Sequence, residues 1–182
     1  MRDLGDTVTL YTDARNVLSG LSTPDARTFR DLLATGPESV LPTTAGPHLT
    51  ASALVVAPDR ERVLLCLHGR VGAWMQMGGH CEPGDATLAA AALREAREES
   101  GIDGLLIGPE PIGLDVHPVR CRFGPSVHYD VRYAVLAPEG AEPVCSAESK
   151  DLAWFAPDAL PSPLADGVVP LIGPALRWAY ST

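Results

Sequence analysis

The sequence predicts an α/β fold, with a sheet enclosed by helices on both faces as an α/β/α sandwich. Apolar runs of strand character recur at residues 48–57, 62–67, 128–136 and 148–155. One strongly helical segment lies between the second and third of them, and helical periodicity marks both ends of the chain. Strands gathered around a central helix, with more helices before and after, bury their apolar faces most simply in three layers.

At 182 residues the chain is long enough for one domain with its own core, plus a terminal extension. Its 46% hydrophobic and 20% charged content is ordinary for a soluble globular protein. A net charge of −9 argues against a nucleic-acid polymer or an anionic membrane as partner. A nucleotide substrate stays open, because cations held by carboxylates reverse the local sign. No signal-peptide pattern stands at the N-terminus and no apolar run approaches the ~20 residues of a membrane span, so a cytoplasmic protein is expected. Cys66, Cys81, Cys121 and Cys145 form no C-x-x-C pair and are expected to be reduced thiols. A zinc site built on His80 and Cys81 is the lesser reading, since adjacent residues rarely complete a tetrahedral set.

Residues 4–35 read as two helices broken at Thr23-Pro24, with Thr23 as cap and Pro24 in the first turn. Residues 1–45 are therefore taken as an N-terminal helical extension and 46–182 as the main domain. The extension is expected to act as a lid or packing arm, with a homodimer contact as the sharper alternative. Residues 36–47, rich in proline and glycine, connect it to the first strand. Residues 48–57 and 62–67 make two strands around the turn Pro58-Asp59-Arg60-Glu61. Arg70, just beyond, can meet a substrate phosphate as a bidentate donor, against the plainer reading of a surface arginine. Trp74 either packs on a base or wedges the loop that leads to Gly78-Gly79. His80 and Glu82 are placed in that loop.

Leu88 to Ser100 is the central helix, with Thr87 as N-cap and Gly101 as the left-handed stop. At about 100° per residue, Glu95, Glu98 and Glu99 share one face. Such crowded carboxylates call for a hard divalent cation, and Arg94 can pair with Glu98 four residues on. The run Gly79, Asp85, Arg94-Glu95, Glu98-Glu99, Gly101-Ile102 resembles the signature of the Nudix hydrolases. Asp85 stands where that family has Glu, one extra residue separates it from Arg94, and Ala96 is small for its apolar position. The extra residue is assigned to the loop before Thr87.

The resemblance implies a mixed sheet with this helix packed against it. It also implies hydrolysis of a nucleoside diphosphate linked to another moiety, with Mg²⁺, or Mn²⁺ in its place, held by Gly79, Glu95, Glu98 and Glu99. By the same resemblance Glu98 is the general base, with Glu148, His117 and His128 as alternatives, and a Glu before the strand at 148–155 reaches the metal cluster, Glu148 first and Glu142 as the weaker candidate. Arg94 joins Glu98 and Glu148 in the catalytic set.

Residues 105–116 read as an interrupted strand, and residues 117–125 as a loop combining His117, Arg120 and Arg122 with turn residues. With Arg70, Trp74 and His128 these form the expected substrate side. In residues 128–136, Asp130 and Arg132 share one face, and Tyr129, Val131 and Tyr133 the other. A turn-rich acidic loop precedes the strand at 148–155, and residues 169–180 close the chain as a helix. Pro118 lies sixteen residues beyond Ile102, as in relatives that act on ADP-ribose. Nucleoside triphosphates, nucleotide sugars and dinucleoside polyphosphates stay open as substrates. So do two other functions: a nucleotide-sensing module without turnover, and an isoprenyl-diphosphate isomerase, which would need a cysteine-glutamate pair.

Overall fold

The computed structural model describes residues 4–42, 46–121, 124–146 and 149–182. The strands are β1 (His48–Val56), β2 (Val63–His68), β3 (Trp74–Met75), β4 (Met77–His80), β5 (Leu106–Ile107), β6 (Gly113–Cys121), β7 (Gly124–Leu136) and β8 (Ser149–Phe155). They form one eight-stranded sheet. β1 runs parallel to β7 from His48↔His128 to Val56↔Leu136, while its pairings with β4 and β2 are antiparallel, so the sheet is mixed as expected. The helices are α1 (Leu4–Gly20), α2 (Pro24–Leu33), α3 (Leu88–Ser100) and α4 (Val169–Tyr180).

Strand alternation divides the chemistry between the two faces. Leu49, Ala51, Ala53 and Val55 of β1, with Val131, Tyr133 and Val135 of β7, join α1, α2 and α3 in one apolar core. Leu54, Val56 and Ala134 point the other way and pack against α4. Nearer the start of β1 and β7, that second face turns polar: His48, Thr50 and Ser52 stand beside His128, Asp130 and Arg132. Asp130 accepts from Thr50 Oγ1 at 3.0 Å, Ser52 Oγ at 2.7 Å and Arg132 Nε at 2.8 Å. The same guanidinium donates to Asp115 at 2.8 Å and to the Gly167 carbonyl at 2.9 Å. Asp130 and Arg132 thus form a buried ion pair whose other donors and acceptors are met within the fold.

Two segments expected as loops are strands. Gly78 and Gly79 belong to β4, paired with Ser52 and Ala51 of β1. They are glycines because of crowding: a Cβ on Gly78 would collide with the Ser52 side chain and backbone, and one on Gly79 would meet the Glu95 carboxylate. Residues 117–121 continue β6, antiparallel to β7. Pro118 is tolerated because, among the described residues, β6 pairs with β7 alone and leaves its other edge unpaired. Residues 105–116 hold only the short β5 and the start of β6, divided by Gly108-Pro109 and Pro111.

The N-terminal helices pack into the fold. Thr23 caps α2 with Pro24 in its first turn. Leu10, Ala14 and Leu18 of α1 and Phe29 of α2 are buried in the same cluster as the sheet and α3. Asp13 Oδ2 accepts from the Leu88 backbone N–H at 2.8 Å, so α1 satisfies one of the orphan donors at the start of α3. Burial lifts the Asp13 pKa despite that bond. A cleft of about 810 Å³ runs between α1 and α2, lined by Tyr11, Arg15, Arg30 and Leu33 among others, with no carboxylate or imidazole in its walls. Among the described residues no helix is long and apolar enough to cross a membrane.

Asp13→Ala should lower stability by about 1 kcal/mol in chemical denaturation, the usual loss for a helix cap. Asp13→Asn should retain most of it, because the amide oxygen still accepts and no charge is buried. Equal losses in both variants would mean that the contact between α1 and α3 does not rest on this bond.

Candidate active site

Helix α3 begins and ends where its sequence requires. The Thr87 side chain accepts from Ala90 N at 3.0 Å, and Gly101 takes the left-handed conformation at φ 65°. The extra residue therefore lies upstream of Thr87, and the helix is intact. Ala91, Ala92 and Ala96 are fully buried on its sheet side, which lets the helix lie close to β1 and β4. This closeness brings Glu95 onto Gly79: a Cβ there would stand 2.6 Å from Glu95 Oε1 and 3.0 Å from Oε2. Burial raises the Glu95 pKa, opposed by Arg94 and reinforced by the charges of Glu98 and Glu82.

Arg94 organises the acidic groups. Its Nε donates to Asp85 Oδ1 at 3.2 Å, and its Nη2 to Asp85 Oδ2 at 3.1 Å and to the His80 carbonyl at 2.8 Å. Its Nη1 donates at 3.0 Å both to Glu95 Oε1 and to Glu98 Oε2. Burial alone would lower its pKa, but Asp85 and Glu95 hold it above the ordinary arginine value. Asp85 also accepts from the Glu82 backbone N–H at 2.8 Å, closing the turn before the helix. The shorter side chain in place of Glu thus forms a fork-to-fork pair with Arg94. The expected pairing of Arg94 with Glu98 is present, within a wider set of bonds.

The three carboxylates differ in exposure. Glu98 is open, at 59% side-chain exposure, Glu95 is half-buried at 14%, and Glu99 is buried at 7% beside the Cys66 thiol. Burial, with the Glu99 charge next to it, pushes the Cys66 thiol up to about 12. Among the described residues, the ligand atoms that converge within 4.8 Å of one another belong elsewhere, to His48, His80, Cys121 and His128. Sequence reasoning passed over His48. The available signal was parity, since polar residues stand at alternate positions of both β1 and β7.

The remaining candidates divide by placement. Arg70 and Arg120 are exposed, and the Arg70 charge reaches His80 and Cys121. His117 Nδ1 is held by Asp115 Oδ2 at 2.7 Å. His128 turns its Nε2 toward Cys121 at 3.1 Å and His80 at 3.2 Å. Burial and the neighbouring imidazoles push its pKa down to about 3. Trp74 is buried in a T-shaped contact with Phe155, with centroids 4.9 Å apart, and belongs to the α4-side apolar cluster. Cys81 points into the α3 core, on the opposite face from His80, which rules out the adjacent-pair zinc site. Arg122 and Glu148 lie outside the described residues.

A family model described as the NUDIX domain matches residues 46–178, well over half of the 182-residue chain. The chain belongs to the Nudix family. Family membership makes it a hydrolase of diphosphate (phosphoric anhydride) bonds, in keeping with the carboxylate helix. Solved Nudix structures share its fold. The NUDIX domain of Shewanella oneidensis NrtR, complexed with ADP ribose, is 24% identical with a TM-score of 0.54, covering 82% of this chain and 97% of that one. A NUDIX-family hydrolase from Clostridium perfringens is 23% identical with a TM-score of 0.51, covering 74% and 97%. The Nudix hydrolase RenU from M. smegmatis is 24% identical with a TM-score of 0.50, covering 75% and 87%.

Arg94→Ala should cost about 2–3 kcal/mol, between the exposed and buried limits for ion pairs, because Asp85 is left buried without its partner. That corresponds to a melting temperature lower by roughly 5–10 °C. The double variant Arg94→Ala/Asp85→Ala should lose less than the sum of the two single losses. Strictly additive losses would mean that the guanidinium does not hold the turn to the helix.

Proposed function

We propose that this Nudix chain is a Mg²⁺- or Mn²⁺-dependent pyrophosphohydrolase acting on a nucleoside diphosphate linked to a second moiety. The observation that carries the reading is the Glu95 carboxylate lying against Gly79 while Arg94 gathers Glu95 and Glu98. The chemistry of the donor set suits a hard cation, carboxylate oxygens of Glu95, Glu98 and Glu99 with the Gly79 carbonyl, and Glu95 already lies where a side chain on residue 79 would collide with it. A cation held there would neutralise the diphosphate charge and acidify a bound water.

The chain's own residues supply the rest. Glu98, the most exposed of the three carboxylates, is the base that takes the proton of the attacking water. Arg94 fixes its orientation, and by holding the His80 carbonyl it keeps the end of β4 against the helix. Arg120, exposed and of opposite parity to Cys121 on β6, supplies positive charge for the phosphates, whereas His117, held by Asp115, and Arg70, whose charge reaches His80 and Cys121, stand with the imidazoles. ADP-ribose is the first substrate to test. A domain of similar fold has been solved with ADP ribose, and Pro118 stands at the spacing that the resemblance associates with it.

Glu98→Gln should keep its circular dichroism spectrum and lose about 10²–10⁴-fold in turnover of ADP-ribose with Mg²⁺, the range for removing a general base. Undiminished turnover in the folded variant would end the assignment of Glu98. Tight binding of the nucleotide by the unmutated chain, with no product from ADP-ribose, nucleotide sugars or nucleoside triphosphates, would favour the sensing module.

A further inference from the structure

The polar end of the α4-side face carries a second cluster of ligands, on the other side of the sheet from the carboxylates. His48 opens β1, His128 is its direct partner on β7, His80 pairs with Thr50 at the end of β4, and Cys121 ends β6. Directly paired residues share a face, and His117↔His128 carries the same parity along β6 to Cys121. Four strands therefore deliver four side chains to one point. None of them sits on a long flexible loop.

The distances fit a metal polyhedron. Cys121 Sγ lies 3.1 Å from His128 Nε2, 3.7 Å from His80 Nε2 and 4.0 Å from His48 Nε2, and the His80 and His128 Nε2 atoms are 3.2 Å apart. With Zn–N near 2.0–2.1 Å and Zn–S near 2.3 Å, the edges of a tetrahedron are about 3.3–3.4 Å between nitrogens and about 3.5–3.6 Å from nitrogen to sulfur. The rings crowd without stacking, their centroids 5.0 to 5.1 Å apart. His48 is buried, and its Nδ1 lies 2.9 Å from the Gly46 carbonyl. A proton on Nδ1 donated there leaves the Nε2 lone pair facing the cluster, the arrangement that aligns histidine ligands in metal sites. Lone pairs brought together in this way are satisfied at once by a cation among them.

We propose that His48, His80, Cys121 and His128 form a closed four-ligand site for a thiophilic divalent transition metal, Zn²⁺ in the first instance. Three imidazoles and a sulfur suit Zn²⁺ and not Mg²⁺, which takes oxygen ligands. On binding, the Cys121 thiol releases its proton to solvent and its sulfur becomes the fourth ligand. Four protein ligands leave no open position, so the role is structural: the ion ties the ends of β4 and β6 to β1 and β7. Because His80 follows Gly79, it also fixes the peptide whose carbonyl Arg94 holds. The assignment stands on the sheet geometry and does not depend on the hydrolase reading.

Chelator-treated full-length protein titrated with Co²⁺ tests it. The first equivalent should bind at the four-ligand site, giving the strong visible bands of four-coordinate Co²⁺ and a near-ultraviolet sulfur-to-cobalt charge-transfer band. Zn²⁺ should bleach these bands, and excess Mg²⁺ should leave them. Cys121→Ser should abolish the charge-transfer band and weaken binding at least about tenfold, while Glu95→Gln should change neither. Zn²⁺ should also raise the melting temperature of the unmutated chain, and raise it less in Cys121→Ser. The proposal is overturned by a pale, six-coordinate spectrum, by a charge-transfer band that survives in folded Cys121→Ser, or by binding that disappears with Glu95→Gln.

Discussion

The Arg94 guanidinium joins acceptors from three parts of the chain: the turn at Asp85, the end of β4 at the His80 carbonyl, and its own helix at Glu95 and Glu98. Without a cation in that position, the carboxylates of one helix face would repel one another, and Asp85 would be buried without a counter-charge. With it, the acidic face of α3 is held against the glycines of β4. Small residues make this approach feasible, alanines on the helix and Gly78-Gly79 on the strand. Packing and electrostatics converge on one short interface, and the candidate chemistry of the chain follows from it.

The same strand separates two kinds of ligand. Gly79 faces α3 and the carboxylates, whereas the His80 side chain faces the other imidazoles and Cys121. One residue of strand register thus divides an oxygen-rich set of side chains from a nitrogen-and-sulfur one. The buried Asp130–Arg132 network lies on the second side, next to the imidazoles, and anchors β6 through Asp115. The N-terminal helices support the first side from outside, by burying Leu10, Ala14 and Phe29 and through the bond from Leu88 to Asp13.

Much of this was legible in the residues, for local reasons. Helix α3 could be bounded to the residue because Thr87 and Gly101 are strong end signals, and the faces of β7 followed from alternation at Asp130 and Arg132. The failures were equally local. Gly78-Gly79 reads as loop because glycine has weak strand preference, and close packing against Ser52 and Glu95 overrides that preference. Residues 117–121 read as loop because turn residues surround them, yet the edge strand β6 tolerates Pro118 and continues through them. Parity along β1 and β7 could place His48 and His128 on polar faces, but not join the set: His80 and His128 are 48 positions apart and His48 and Cys121 73, and strand pairing brings them together. Asp13 could not be linked to Leu88 for the same reason, with 75 positions between them.

The central claim is that the face of α3 turned to Gly79 receives a divalent cation together with a diphosphate. Its most direct measurement is a crystal grown with Mn²⁺ and a non-hydrolysable ADP-ribose analogue, with data collected at the manganese edge. The account predicts an anomalous peak bounded by the Gly79 carbonyl and the carboxylates of Glu95, Glu98 and Glu99, against the phosphates of the analogue. A bound diphosphate with no manganese between it and those carboxylates, or with the carboxylates turned into bulk solvent, would contradict it.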